Sequence, residues 1–274
     1  MVPGAARRVL PAGASDAVVA GTWEHSRGPD IMTQPSPTFQ PLYLQIKGLL
    51  EQSLEAGEWR PAEAIPSEHD LASRFGVSQG TVRKAIASLA VDNLVVRRQG
   101  KGTYVATHTE EKSSSFRFLR IRRNDGADEY PGSRLLDVRR AKASIEVARL
   151  LDLKPGEGVI LLRRILEYGG APVVLDEITL PGVLFKGLTK ARFAAHRGSM
   201  YGFFESEFGV RMLNAEEKLR AVAADATSAR LLGVARGAPL LAVDRITRTY
   251  GDRPVEWRRG LCLTGHHHYF NRLG

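Results

Sequence analysis

PSEHDLASRFGVSQGTVRKAIASLAVDNLVVRRQGKGTYV, residues 66–105, decides the architecture of the first half of the chain. Ser67 is placed to cap a helix over 68–75, with Glu68 and Asp70 in its first turn, where the helix dipole favours negative charge. Gly76 ends that helix, and Gly76-Val77-Ser78 is a turn short enough for a helix-turn-helix. Ser78 caps the next helix, 79–89, whose Val82, Ile86 and Leu89 share one face. Strands over 94–98 and 103–105 follow, turned by Gly100 and Gly102. Upstream, Leu42, Ile46, Leu49, Leu50 and Leu54 recur at helical spacing until Gly57. Three short helices and a two-stranded wing make a winged helix-turn-helix, spanning 37–106.

Such a fold meets DNA by laying its third helix in the major groove, N-terminal residues toward the base edges. Here those residues are Ser78, Gln79, Gly80, Thr81 and Arg83, followed by Lys84. Gln matches the two-point edge of adenine, Arg that of guanine, and hydroxyls suit base or phosphate. The wing carries Arg97, Arg98 and Lys101 around Gln99-Gly100, within reach of the backbone or minor groove. Residues 74–101 hold Arg74, Arg83, Lys84, Arg97, Arg98 and Lys101 against Asp92 alone, whereas the first helix and its exit carry Glu51, Glu55 and Glu58. The chain's net charge is +9, from 39 Lys+Arg and 30 Asp+Glu, and the basic residues of this stretch are gathered on the elements that would touch DNA. The competing reading is a solvated basic face on a protein-interaction winged helix, which the charge explains but the whole motif does not.

The remaining chain is ordinary in composition. Its 274 residues suit one large domain or two small ones. One cysteine, Cys262, excludes an internal disulfide and a multi-cysteine metal site and fits a reducing cytoplasm. No apolar run reaches the ~18 residues of a membrane span. Residues 1–36 are rich in Ala, Gly and Pro, and Pro11, Gly13, Ser15 and Asp16 interrupt what could have been a secretory core. They read as a disordered tail, or as sequence before a true start at Met32. Residues 107–115 read as a polar linker. Beyond it, strand patterns over 158–168, 173–180, 240–250 and 256–263 mix with helix patterns over 144–151, 199–208 and 224–232. Gly169-Gly170 turns the first two strands into a hairpin. The segment 116–274 is therefore a second, mixed α+β domain with its own core.

Over about 65 residues the first domain resembles the DNA-binding domain of the GntR family of bacterial transcription regulators. The P-L-Y-L-Q-I entry, P-S-E-H-D-L, G-V-S-Q-G-T-V-R-K-A and R-R-Q-G-K-G-T occur in order. The family often has arginine at the positions of His69 and Gln79, where relatives contact their operators, so this resemblance implies an altered readout in which Gln79 reads an adenine. The second domain resembles the UTRA effector-binding domain of the HutC subgroup, through GEGVILLRRILEYGGAPVVLDEITLP, SMYGFFESEFGV, LLGVARGAPLLAVDRITRTYGDRPVEWRRG and HHHYFN. That likeness implies a chorismate-lyase-like fold and a small-molecule pocket. Sugar-phosphate sensors of the group present two arginines two residues apart on the first strand of the pair. Arg164 takes the first position and Leu166 the second, which suits a carboxylate better than a phosphate. The same alignment puts Ser115, Phe116, Asp176, Ser199, Tyr201, Glu256 and Tyr269 at ligand-lining positions. Each has a plainer alternative: Asp176 and Glu256 as surface strand residues paired with arginines, Tyr201 as core.

His266, His267 and His268 lack a third ligand type at metal spacing and read as a terminal strand with one histidine near the pocket. Arg253, Arg258 and Arg259 read as a solvated, salt-bridged face, and Cys262, between Leu261 and Leu263, as core. The resemblance implies a ligand-responsive repressor in the cytoplasm, binding a near-palindromic double-stranded DNA operator as a homodimer. The alternative is a small-molecule lyase on the chorismate-lyase fold, against which stands the lack of any nucleophile, metal or cofactor fingerprint in the sequence.

Overall fold

Local capping chemistry sets the first three helices. The computed structural model describes residues 40–108, 118–127 and 129–271; the tail over 1–36, Ser115 and Phe116 lie outside them. Helix α1 (Leu42–Glu55) buries Ile46, Leu50 and Leu54. Helix α2 (Glu68–Phe75) starts on a reciprocal box in which the Ser67 hydroxyl accepts from the Asp70 amide and the Asp70 carboxylate from the Ser67 amide. It stops at Gly76, whose φ of 63° is left-handed. Helix α3 (Gln79–Val91) is capped by Ser78 and runs two residues past its expected end. Asn93, at φ 58°, makes the left-handed exit there, a conformation its short polar side chain tolerates. Strands β1 (Val95–Arg98) and β2 (Gly102–Val105) pair antiparallel as the wing. The approach to α2 adds along β2, with Ile65 N donating to Thr103 O at 2.9 Å and Val105 N to Glu63 O at 2.8 Å. Leu50, Leu71, Val82, Ile86 and Leu89 form the core of this part.

The second part comprises β3 (Ile121–Arg123), β4 (Gly132–Lys142), α4 (Ile145–Leu150), β5 (Gly158–Tyr168), β6 (Ala171–Pro181), α5 (Lys190–Ala195), α6 (Met200–Phe208), β7 (Asn214–Ala223), α7 (Ala226–Leu232), β8 (Pro239–Arg248), β9 (Pro254–Cys262) and β10 (His267–Tyr269). Six strands form one antiparallel sheet in the order β4-β5-β6-β9-β8-β7, and β10 pairs with β3. The β5–β6 hairpin turns on Gly169 and Gly170, both at positive φ. Strands β4 and β7 were not legible as strands. They are the sheet's edges, and charges such as Arg139, Arg140, Glu216 and Lys218 break their apolar alternation.

Side chains alternate across the sheet, so Leu162, Arg164 and Leu166 share one face while Ile165 takes the other. Helix α6 covers the first face, packing Phe203 and Phe204 with Phe185, Leu162 and Ile178. On the other face, Leu232 and Ala229 of α7 pack with Ile165 and Leu175. Two assignments change. Thr107 and His108, expected in a polar linker, are buried. Arg258, expected on a solvated face, is half-buried, its side chain only 12% exposed. Cys262 is core, as its flanking leucines suggested.

Candidate DNA-binding surface and ligand cavity

The helix-turn-helix presents its polar residues outward. His69, Ser78, Gln79, Gly80, Arg83, Lys84, Arg97, Gln99, Gly100 and Lys101 are exposed, and Thr81 and Arg98 half-buried. Ser78 Oγ accepts the Thr81 amide at 3.2 Å, so the cap that starts α3 also fixes its leading turn. The wing tip is ordered by Tyr104, whose hydroxyl donates to Lys101 O at 3.1 Å while the Arg98 guanidinium lies 4.6 Å from its ring centre. Gly100 and Gly102 sit at φ 69° and 105°, which only glycine adopts without strain. Arg83 and Arg97 both bond to Glu68.

In the second part a cavity of about 540 Å³ opens between the sheet face and α5–α6. Arg164, Leu166, Ser199 and Tyr201 line it, with Arg245 and Arg258. Asp176 does not reach the wall. It is fully buried behind it, accepting from Arg164 Nε at 2.9 Å and from Arg258 Nε and Nη2 at 2.7 and 2.5 Å. Burial alone would raise the Asp176 carboxyl, but Arg258 and Arg164 outweigh it and hold it below the usual carboxylate range. Opposite Asp176 in the sheet stands Gly260, where a Cβ would come 3.3 Å from Asp176 Oδ1; the missing side chain gives the carboxylate its room. Glu256 is likewise fully buried, accepting from Tyr201 Oη at 2.7 Å and Thr247 Oγ1 at 3.0 Å. Asp176 and Glu256 are therefore not surface residues: they hold side chains of the large cavity's wall, and Asp176 itself lines a smaller space beside it. Tyr269 bonds to Glu217 and lines that smaller space of about 30 Å³, which shares Leu166, Arg245 and Arg258 with the large cavity. None of the terminal histidines lines the large cavity; His267 packs on Tyr168, and the histidine at the wall is His196.

Arg245 and Arg258 were missed by sequence reasoning. They are cross-strand partners on β8 and β9, a like-charge pair that Glu217 and Asp176 make tolerable. Their individual signals resemble any strand arginine, and only the register brings them together. Arg253 and Arg259 do sit at the surface, near Glu55 and Asp244. Arg245 Nη1 is buried with no hydrogen-bond partner among the described residues.

Helix α6 touches both the cavity and the segment that leaves the wing. Ser199, Met200 and Tyr201 at its start line the cavity. One turn on, buried Glu205 accepts from Thr107 Oγ1 at 2.7 Å and the His108 amide at 2.8 Å, and pairs with Arg211 Nε at 3.0 Å. Arg211 in turn donates to Ala106 O and to the Tyr250 hydroxyl. Gly202 lets the chain approach, since a Cβ there would stand 3.3 Å from His108 O. Ala106 to His108 is the segment that leaves wing strand β2, and Leu213 and Tyr250 pack on the winged-helix core.

Comparison with known proteins agrees with both halves. Residues 42–105 match the bacterial regulatory proteins of the gntR family, and residues 126–268 match the UTRA domain. The chain is 27% identical over 238 residues to the HTH-type transcriptional repressor NagR of Bacillus subtilis (strain 168), covering 85% of this chain and 96% of that protein. It is 28% identical over 216 residues to the histidine utilization repressor of Pseudomonas putida, covering 78% and 85%. Among solved structures, the ligand-binding domain of a protein assigned to the GntR-family transcriptional regulators of Bordetella bronchiseptica is 52% identical, with a TM-score of 0.55 over 57% of this chain and 98% of that one. Among the described residues, no helix is long and apolar enough to cross a membrane. With a winged helix-turn-helix followed by a sheet domain that holds a walled cavity, the chain belongs to the GntR family of bacterial regulatory proteins, in the HutC arrangement that joins this DNA-binding domain to a UTRA domain.

Proposed function

We propose that the chain is a ligand-responsive repressor that binds a near-palindromic operator as a homodimer and is released by a small carboxylate-bearing molecule in the C-terminal cavity. The observation that carries this reading is helix α6, whose start lines the cavity and whose Glu205 grips the segment leaving the wing. A ligand that alters the position of Ser199 or Tyr201 acts on the same rigid element that holds Ala106 to His108. It shifts the protein between two arrangements only by its difference in affinity for them.

The charge of the wall supports a carboxylate. Arg164 and Arg258 share Asp176, Arg245 pairs with Glu217 and Arg134 with Glu167, so the arginines are largely neutralised before any ligand enters, while Lys190, which donates to the Leu136 carbonyl, adds a further positive charge. Leu166 adds an apolar patch where a second arginine would suit a phosphate. The named relatives are repressors, which supports the same sign of regulation here.

The test is fluorescence anisotropy with DNA from upstream of the chain's own gene, across a salt series and against random duplex. Tight, competitor-resistant binding that weakens with salt is expected. Monocarboxylates and sugar phosphates are then screened for release of the DNA, the carboxylates being expected to act. Binding no tighter than to random duplex, at this site and after a genomic selection, overturns the reading. Pyruvate release from chorismate would favour the lyase alternative instead.

A further inference from the structure

Two cations of the DNA-facing surface converge on one carboxylate. Glu68, the first residue of α2, accepts Arg83 Nε at 2.9 Å on one oxygen and Arg97 Nη2 at 3.0 Å on the other. Arg97 Nη2 also donates to the Arg83 carbonyl at 3.3 Å. The clamp thus ties the start of α2, the recognition helix and the wing. The Arg83 and Arg97 side chains remain 59% and 44% exposed, against 22% for Glu68, so both guanidiniums keep a solvent-facing edge.

The geometry limits what those edges can do. A guanidinium whose Nε–H is taken has lost its side-on fork and can make a two-point contact only end-on, through its terminal nitrogens. Arg83 is the only arginine of α3. The orientation of Arg83 therefore weighs heavily in this chain. The carboxylate also cancels one of two positive charges, which lowers attraction to any phosphate backbone whatever its sequence.

We propose that Glu68 is the positioning residue of this interface: it presets Arg83 for an end-on contact with a base edge and suppresses sequence-independent binding. The inference rests on the DNA-binding reading above. Its test uses the full chain, the duplex that the wild-type protein recovers from a randomised pool, and a scrambled duplex of equal length, each titrated across a salt series.

For Glu68→Gln, binding to the scrambled duplex should strengthen several-fold, and its log–log salt slope should steepen by about 0.9, one additional phosphate. The selected-to-scrambled ratio should fall at least tenfold. Glu68→Asp keeps the charge but is one methylene too short to span both arginines, so the ratio should fall while the slope stays at the wild-type value. If thermal melting shows Glu68→Gln unfolded, Glu68→Asp decides alone. Glu58→Gln, which breaks a comparable surface pair with Arg74 that touches neither α3 nor the wing, should leave the ratio unchanged. In an Arg83→Gln background, Glu68→Gln should alter the ratio less than twofold. An unchanged ratio in the folded Glu68 variants, or equal loss of both affinities, overturns the proposal. A wild-type chain that enriches no sequence from the pool overturns the DNA-binding reading and this inference with it.

Discussion

Asp176 shows how a single side chain can hold a cavity wall together without being part of it. It is the shared acceptor of Arg164 and Arg258; Asp176 and Arg164 are buried, and the Arg258 side chain is 12% exposed. Asp176→Asn leaves two guanidiniums facing each other without their counter-charge. We expect a loss of about 3–5 kcal/mol, read as a lower urea midpoint. The carboxyl lies below its ordinary range when folded, so its stabilising contribution is complete above the unfolded value of about 3.9 and fades as pH falls through the lower folded value. Urea midpoints taken downward from about pH 5 should fall in the wild type and more gently in the Asn variant. Cys262 makes a second residue-scale case. Burial, with Asp176 nearby, pushes its thiol up to about 12. A disulfide reagent at pH 8 should leave it unmodified in the native protein and label it fully in denaturant. Arg164 and Leu166 could be placed on one face from the two-residue period of a single strand. Arg245 and Arg258 could not, because their meeting depends on which residue of β8 faces which residue of β9.

At the scale of elements, legibility followed the range of the forces. Helix α2 ends where Ser67 and Gly76 put it, because capping is settled within one turn of chain. Ser67→Ala should cost about 1 kcal/mol in chemical denaturation, most of it from the unpaired Asp70 amide. The edge strands β4 and β7 were hidden because an edge carries charge to discourage further pairing, and charge erases the apolar alternation that betrays a central strand. Helix α6 was readable as a helix, but its second role was not. Nothing in a Glu at position 205 announces Thr107 and His108, nearly a hundred residues away. Glu205→Ala should release that segment. Hydrogen exchange at the His108 amide should quicken at least tenfold while amides of β5 and β6 keep their protection.

Across the whole molecule, the basic side chains serve two tasks. The exposed cations of α3 and the wing face outward for a polyanion, while Arg164, Arg245 and Arg258 are turned inward and matched by carboxylates. On the proposed reading, two copies place two recognition helices about 34 Å apart on successive turns of a duplex. Sedimentation of the free protein should return twice the chain mass, and footprinting should show two protected half-sites. The division into two domains was legible because composition and motif change together after residue 105. The first two residues of the expected linker are no tether: Thr107 and His108 are buried against α6, while 109–115 lie outside the described residues. Anyone grafting this sensing half onto a foreign DNA-binding head inherits that fact. A splice made within residues 109–117 would leave Ala106, Thr107 and His108 behind with the discarded head and deliver a sensor with nothing to pull on. A splice directly after Val105 carries the three residues along and keeps the handle on the half that must move it.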